Sequence, residues 1–354
     1  MACNGQAGTN CAAYAGRKPV LNSEGGSPCP ALRTALGRLI AGEFGKSHGA
    51  LTVSGSAALD LALASIGLRQ GQRVGIPSFG CHEMAASVLR CGGVPVALPV
   101  DDMMLLTPSS LKAASGANLS AVLAVHQFGF ICDIAGLRAS LSPNVAIIED
   151  AAQLLPLANH TQPAEVTITS FGSGKPVCLG EGGGAFANAD RVERLTDRWT
   201  GPQRTRLEPV MPIAMSTFAV RPLEEAWSRM MDARSEITRQ VNRVTEKLFA
   251  AGLIEAPLFK KVRASVPLVI PVRCAPKQER KLLDIAAQDR LETNKPHPIP
   301  LWELPMLRGR LDTSLLPLKQ LCNEDVRLLD LRPLFLKCNS VAALFSEKRL
   351  CQHQ

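Results

Sequence analysis

With 354 residues, 46% of them hydrophobic and 20% charged, the chain has the make-up of a globular protein large enough for two domains sharing a sizeable core. Its formal charge of +8 permits anionic partners such as phosphorylated sugars or nucleotides. The basic residues are scattered, however: Lys260-Lys261-Val262-Arg263 and Lys277 to Lys281 are the densest clusters, neither is interleaved with aromatics, and nucleic-acid binding is not expected. Eleven cysteines without a C-x-x-C pair suggest neither a zinc ribbon nor a disulfide framework. The N-terminus lacks an apolar signal core, and no apolar run approaches the ~20 residues a bilayer requires. A cytoplasmic protein with free thiols, no bound metal and no membrane contact is expected.

Residues 1–30, rich in Gly, Ala, Asn and Ser, read as a loose arm, and a helix follows from Pro30 to about Phe44. The stretch LTVSGSAALDLALASIG then predicts a strand, a Ser-Gly-Ser turn at 54–56, and a helix whose Leu59, Leu63 and Ile66 share a face until Gly67 stops it. Hydroxyls delivered onto a helix N-terminus make an anion site, because unpaired N–H groups and the dipole point the same way; Ser56 would serve equally as a plain N-cap. Val74 to Ile76, Val94 to Val100, Ala121 to His126 and Val145 to Ile148 read as buried strands, separated by helices beginning near His82, Ser109 and Asp133. That rhythm implies an α/β fold: a mostly parallel sheet covered on both faces, with ligands at the carboxyl ends of its strands.

A further strand, Val166 to Ser170, empties into a glycine-rich loop with a single lysine, Lys175. A P-loop is excluded, since Thr169 stands where its first Gly belongs and Pro176 where its Ser or Thr belongs. No G-x-G-x-x-G joins a strand to a helix either. The polar groups just past the strands are Ser54 and Ser56, His126, Glu149 and Asp150, and Ser170 with Lys175. Asp150 follows a buried run, where an unpaired carboxylate is costly, and taken by itself it would do as the N-cap of the next segment. Together the set matches the protein's tasks in pyridoxal phosphate chemistry: a lysine to bond the cofactor, an aspartate for its ring nitrogen, hydroxyls at a helix N-terminus for its phosphate.

From Phe44 to Asp190 the sequence resembles the DegT/StrS family of sugar aminotransferases, which have the aspartate-aminotransferase-like fold. The resemblance rests on FGKSHGALTVSGSAALDLALASIGLRQGQRVGIPS, AVLAVHQFGFICD, VAIIEDAAQ and SFGSGKPVCLGEGG. It weakens between Arg221 and Leu301 and does not reach the tail. By position it implies that Lys175 is the covalent, proton-shuttling lysine and that Asp150 partners the pyridine nitrogen. Gln153 would bond near the ring hydroxyl, and Ser170, Ser56 and the amide of Ala57 would hold the phosphate. His126 falls on the family's strand-end histidine, with a contact role to cofactor or substrate. The implied three-layer large domain spans residues 1–235, with a smaller C-terminal α/β domain at 236–354.

Two departures stand out. Where the family often stacks an aromatic ring on the cofactor, four residues past Pro77, this chain has Cys81 followed by His82, and either would have to cover the ring. Between Pro212 and Arg221 there is no asparagine to reach a neighbouring subunit's phosphate. Apolar positions from Leu223 through Trp227, Met230, Ile237, Val241 and Val244 to Leu248 predict one long helix opened by Pro222 and ended by Gly252. Beyond it, Val266 to Val272 reads as a strand and Lys277 to Gln288 as a helix, and His297 lies in a Pro-rich stretch resembling the family's substrate opening. The activity implied is amino transfer from glutamate or glutamine to a nucleotide-linked keto sugar by a homodimer. Alternatives are a non-transaminating sugar enzyme such as a dehydratase, which Lys175 argues against, and a relative without turnover that binds or regulates.

Overall fold

A computed structural model describes residues 30–155, 160–196, 214–216, 219–294, 304, 307–316 and 326–338. The helix α1 (Pro30–Glu43) leads into β1 (His48–Thr52), α2 (Gly55–Ser65), β2 (Arg73–Pro77), α3 (Glu83–Arg90), β3 (Val94–Leu98), α4 (Pro108–Ala113) and β4 (Leu119–Val125). After a short turn come α5 (Ile134–Ala139), β5 (Ala146–Asp150), β6 (Val166–Ser170), β7 (Gly183–Ala187) and α6 (Arg191–Thr196). The remainder holds α7 (Val220–Ala250), α8 (Ala256–Ser265), β8 (Val269–Arg273), α9 (Pro276–Asp289), β9 (Glu292–Asn294), β10 (Val326–Asp330) and α10 (Arg332–Cys338).

Seven strands form one sheet in the order β1-β7-β6-β5-β4-β2-β3. The β6–β5, β5–β4, β4–β2 and β2–β3 pairs are parallel, and β7 alone runs against its neighbours. Alternate side chains feed two cores, as the strand period of two requires. Val122, Ala124, Ile147 and Phe186 face one that α1 and α7 cover with Ile40, Trp227 and Met230. Leu123, Val125, Ile148 and Ala185 face the other, covered by α2 and α3 with Leu59, Leu63, Met84 and Val88. This is the three-layer, mostly parallel α/β architecture expected, and both faces explain why its strands are apolar throughout.

The expected strands and helices fall within a few residues of their predicted places. Helix α7 is a single element of 31 residues whose Leu223, Trp227, Met230, Ile237, Val241, Val244 and Leu248 are all buried. It runs unbroken through the residue pair 235/236 and stops where Gly252 takes φ +68°. Six elements were not anticipated: the helices α6, α8 and α10 and the strands β7, β9 and β10. Strand β7, GGAFA, has no β-branched residue, and β10 lies in the tail where no pattern was readable; it pairs antiparallel with both β8 and β9 in a second, three-stranded sheet.

Candidate active site

Because β1, β6, β5, β4 and β2 point the same way, the residues after them meet at one rim of the sheet. Ser54 leaves β1 in extended conformation and its Oγ accepts the Ala57 amide at 3.1 Å, so Ser54 is the N-cap of α2. This corrects the N-cap reading of Ser56: the helix starts two residues earlier than a cap at Ser56 implies, and Ser56 stands in its first turn, half-buried. The amides of Gly55 and Ser56, as the first two helical residues, have no intrahelical acceptor. Ser170, the last residue of β6, abuts this turn: a Cβ on Gly55 would lie 2.7 Å from Ser170 Cβ and 2.8 Å from its Oγ. Only glycine lets the two approach, and an anion set there would meet a hydroxyl and a helix N-terminus together.

Lys175 sits in the loop between β6 and β7. The base of that loop is closed by Phe171 N–H donating to Gly182 O at 2.9 Å and Leu179 N–H to Phe171 O at 2.8 Å. Among the described residues Lys175 Nζ makes no hydrogen bond or ion pair, but its charge is felt by Asp150 and Cys81. Asp150 ends β5, partly open to the cleft yet closely surrounded, and burial pushes its carboxyl above the usual range. The Ala152 amide, donating to Oδ1 at 2.9 Å, Lys175 and His126 pull it back, while Glu149 raises it further. An aspartate in that state calls for a cationic partner.

Gln153 Oε1 accepts the Phe128 amide at 2.8 Å, which leaves its NH₂ to donate elsewhere. Phe128 takes φ +59° in the turn after β4. Gln153 and Lys175 line a cavity of about 260 Å³ with Phe128, Asn294, Asp330 and Arg332. The last three come from β9, β10 and the start of α10, and sequence reasoning missed them. A wider groove of about 880 Å³ between Pro108 and Val145 holds none of these groups, and Lys112 is its one charged lining residue.

Of the two residues expected to cover the ring, Cys81 is the one near the lysine. The residue is exposed, but its thiol is crowded and burial pushes it up, against the Glu83 amide and Lys175. His82 is exposed beside Glu83, Nε2 at 3.5 Å from Oε1. His126 is fully enclosed: Nδ1 accepts the Cys132 amide at 2.9 Å and Nε2 faces Glu149 Oε1 at 2.9 Å. His297 lies outside the described residues.

The strand-end set, with a partnerless lysine, an aspartate in need of a cation and a glycine-cleared anion cradle, fits pyridoxal phosphate. Residues 32–198 match the DegT/DnrJ/EryC1/StrS aminotransferase family. A GDP-perosamine synthase of Vibrio cholerae is 32% identical over 157 residues, 42% of this chain and 43% of that protein, so the chain spans under half the length of this relative. In fold the chain is similar to a DegT DnrJ EryC1 StrS aminotransferase from Brucella abortus, with a TM-score of 0.66 at 21% identity, covering 86% of this chain and 89% of that one. It is likewise similar to a Bacillus subtilis protein solved with bound cofactor PMP, TM-score 0.65 at 17% identity over 88% and 75% of the two chains.

Proposed function

We infer that the chain, whose residues 32–198 match the DegT/DnrJ/EryC1/StrS aminotransferase family, is a member of it. From that premise we propose that it is a pyridoxal-phosphate-dependent aminotransferase that moves an amino group from glutamate or glutamine to a nucleotide-linked keto sugar. The observation that carries the proposal is the meeting of Lys175, Asp150 and Ser170 with the N-terminus of α2 at one rim of the sheet. The sugar substrate class follows the relative's name, GDP-perosamine synthase.

Bound, the cofactor would supply an electron sink for the carbon that loses or gains nitrogen. The protein's part is placement and proton transfer. Ser170 Oγ, Ser56 and the first amides of α2 hold the phosphate. Asp150 keeps a proton on the ring nitrogen, and the Gln153 NH₂ donates to the ring hydroxyl. Lys175 Nζ would hold the cofactor covalently and would serve as the amine that accepts and returns a proton at the reacting carbon. Cys81 packs where the family often has an aromatic ring, and His126 acts from behind the sheet. His297 is carried forward as a substrate contact. A large unit at 1–235 and a small one at 236–354, meeting inside α7, a homodimer and a cytoplasmic location complete the proposal.

The test is the visible absorbance of the purified protein with added pyridoxal phosphate, native and Lys175→Ala, before and after glutamate. A band that requires Lys175 and fades with glutamate is expected. A native protein without a lysine-dependent band would sink the aminotransferase reading. A band indifferent to both glutamate and glutamine would transfer the weight to a non-transaminating sugar enzyme.

A further inference from the structure

Behind Asp150, on the opposite face of β5, lies a second carboxylate that the chemistry above does not use. Glu149 is fully buried. Its Oε1 accepts from His126 Nε2 at 2.9 Å and from His160 Nε2 at 2.8 Å, and its Oε2 accepts from Thr167 Oγ1 at 2.6 Å. These donors come from the end of β4, the segment before β6, and β6 itself, so one side chain joins three pieces of the rim. Two histidines and a glutamate with ligand atoms within 4.8 Å also have the spacing of a metal site. The Cys132 amide decides against it. Donating to His126 Nδ1, it assigns the ring proton to Nε2, and a protonated Nε2 donates to a carboxylate rather than ligating an ion.

His126 also transmits position. Its backbone N–H donates to Asp150 O at 3.0 Å, fixing the strand end that carries the aspartate. Its ring, through Cys132, pins the far end of the turn that contains Phe128, whose amide holds Gln153. With three donors, the histidines foremost, holding it against the cost of burial, Glu149 stays well below the usual carboxylate range.

Building on the aminotransferase reading, we propose that Glu149 is a positioning residue of this site: a fixed negative charge behind Asp150 that raises the basicity of the aspartate and adds to its field in keeping a proton on a ring nitrogen beside it, and a clamp that, through His126, aims Gln153. The titratable groups facing Glu149 are His126, His160 and the buried Lys46, whose Nζ donates to Ala164 O at 2.6 Å; those facing Asp150 are Lys175, His126 and Glu149.

The chemistry of the cluster provides a clean probe. In Glu149→Gln the amide oxygen can accept from both histidines while the NH₂ donates to the Thr167 hydroxyl, which rotates to accept. All three hydrogen bonds survive and only the charge goes. Carboxyl ¹³C NMR of the cofactor-free protein then reads both acids. In the native protein Glu149 is expected to stay ionised through the whole range in which an ordinary glutamate takes up its proton. In folded Glu149→Gln the midpoint of Asp150 is expected to fall by about 1 pH unit, a tenfold loss of proton affinity. With ring-¹⁵N pyridoxal phosphate the nitrogen signal should shift toward the unprotonated form. Thr167→Val, which keeps the charge, should leave Asp150 where it is.

An unmoved Asp150 in Glu149→Gln overturns the proposal. So does a native Glu149 that titrates in the ordinary range, a result that needs no variant to fold. A native protein that binds no pyridoxal phosphate would sink the aminotransferase reading, and the cofactor-free titration would still decide whether Glu149 sets the basicity of Asp150.

Discussion

Asp150 is under two opposed demands. Burial raises its carboxyl, whereas the role proposed for it beside a cationic ring nitrogen needs it ionised. The sign of the consequence follows from linkage. A carboxyl whose folded value lies above its unfolded one favours the fold while protonated, and that contribution is lost as pH rises through the folded value. Asp150→Asn, which retains an oxygen for the Ala152 amide, is therefore expected to melt higher than the native cofactor-free protein at pH 7. The advantage should vanish below about pH 4, where both forms are neutral. With pyridoxal phosphate at a hundred times its Kd the native protein should gain about 2.7 kcal/mol, and the Asn variant much less. Melting curves across pH, with and without cofactor, check both halves. Glu149 has the opposite sign: held low, it stabilises above its unfolded value and that stability is lost as pH falls through the folded one. Asp150 and Lys175 were legible in the sequence because each stands at or just past a strand that announces itself by its apolar run. Glu149 was seen as polar and passed over, since nothing in a sequence brings His160 and Thr167 to it.

At the scale of elements, α1 lies on β1 through a contact between two glycines. A Cβ on Gly37 would come 2.3 Å from Gly49 O, and one on Gly49 would come 2.2 Å from Gly37 O. Inside a helix, Gly→Ala normally gains up to about 1 kcal/mol. Here the obstacle is a backbone carbonyl that cannot rotate away, so Gly37→Ala should instead lose about 1–3 kcal/mol, read as a lower denaturant midpoint with unchanged slope. The same close approach explains what pattern reading could and could not find. Strands rich in Val, Ile and Leu were visible. Strand β7 was not, because its residues answer to their neighbours: Gly183 must clear Ser54 O, and Gly184 must clear the Phe186 ring. The start of α2 was misjudged by two residues for a related reason, since Ser54 and Ser56 are equivalent caps until Gly55 is seen against Ser170.

Across the whole molecule, the cavity beside Lys175 has two walls of different origin. One is the seven-stranded sheet, which brings Gln153 and Lys175; the other is the small sheet, which brings Leu268, Asn294, Asp330 and Arg332. Arg332 is held by Asp330, with Nε donating to Oδ1 at 2.8 Å, and its Nη1 would lie 3.1 Å from a Cβ on Gly174. The substrates proposed above, glutamate and a nucleotide-linked sugar, are both anionic, and a guanidinium so placed can receive carboxylate or phosphate oxygens. Arg332→Gln is expected to raise the KM for one of the two substrates about tenfold or more, while the lysine-dependent absorbance band stays; steady-state kinetics with each substrate varied in turn checks it. No sequence signal pointed to this residue, because it reaches the site from 157 positions beyond Lys175, at the start of a helix without a motif. None of the described helices is long and apolar enough to cross a membrane.

The closed base of the loop between β6 and β7 has a bearing on reaction order. With Phe171, Leu179 and Gly182 tied together, the backbone beneath Lys175 is fixed and only a four-carbon stem can swing. In the role proposed for Lys175, an amine on such a leash would be released without being lost. Its effective concentration at the reacting carbon stays far above that of any dissolved amine, in the range of about 10⁵ M or more for well-aligned intramolecular groups. Small amines added to Lys175→Ala should therefore restore at most a trace of turnover, since each must arrive by diffusion, bind without a tether and leave again.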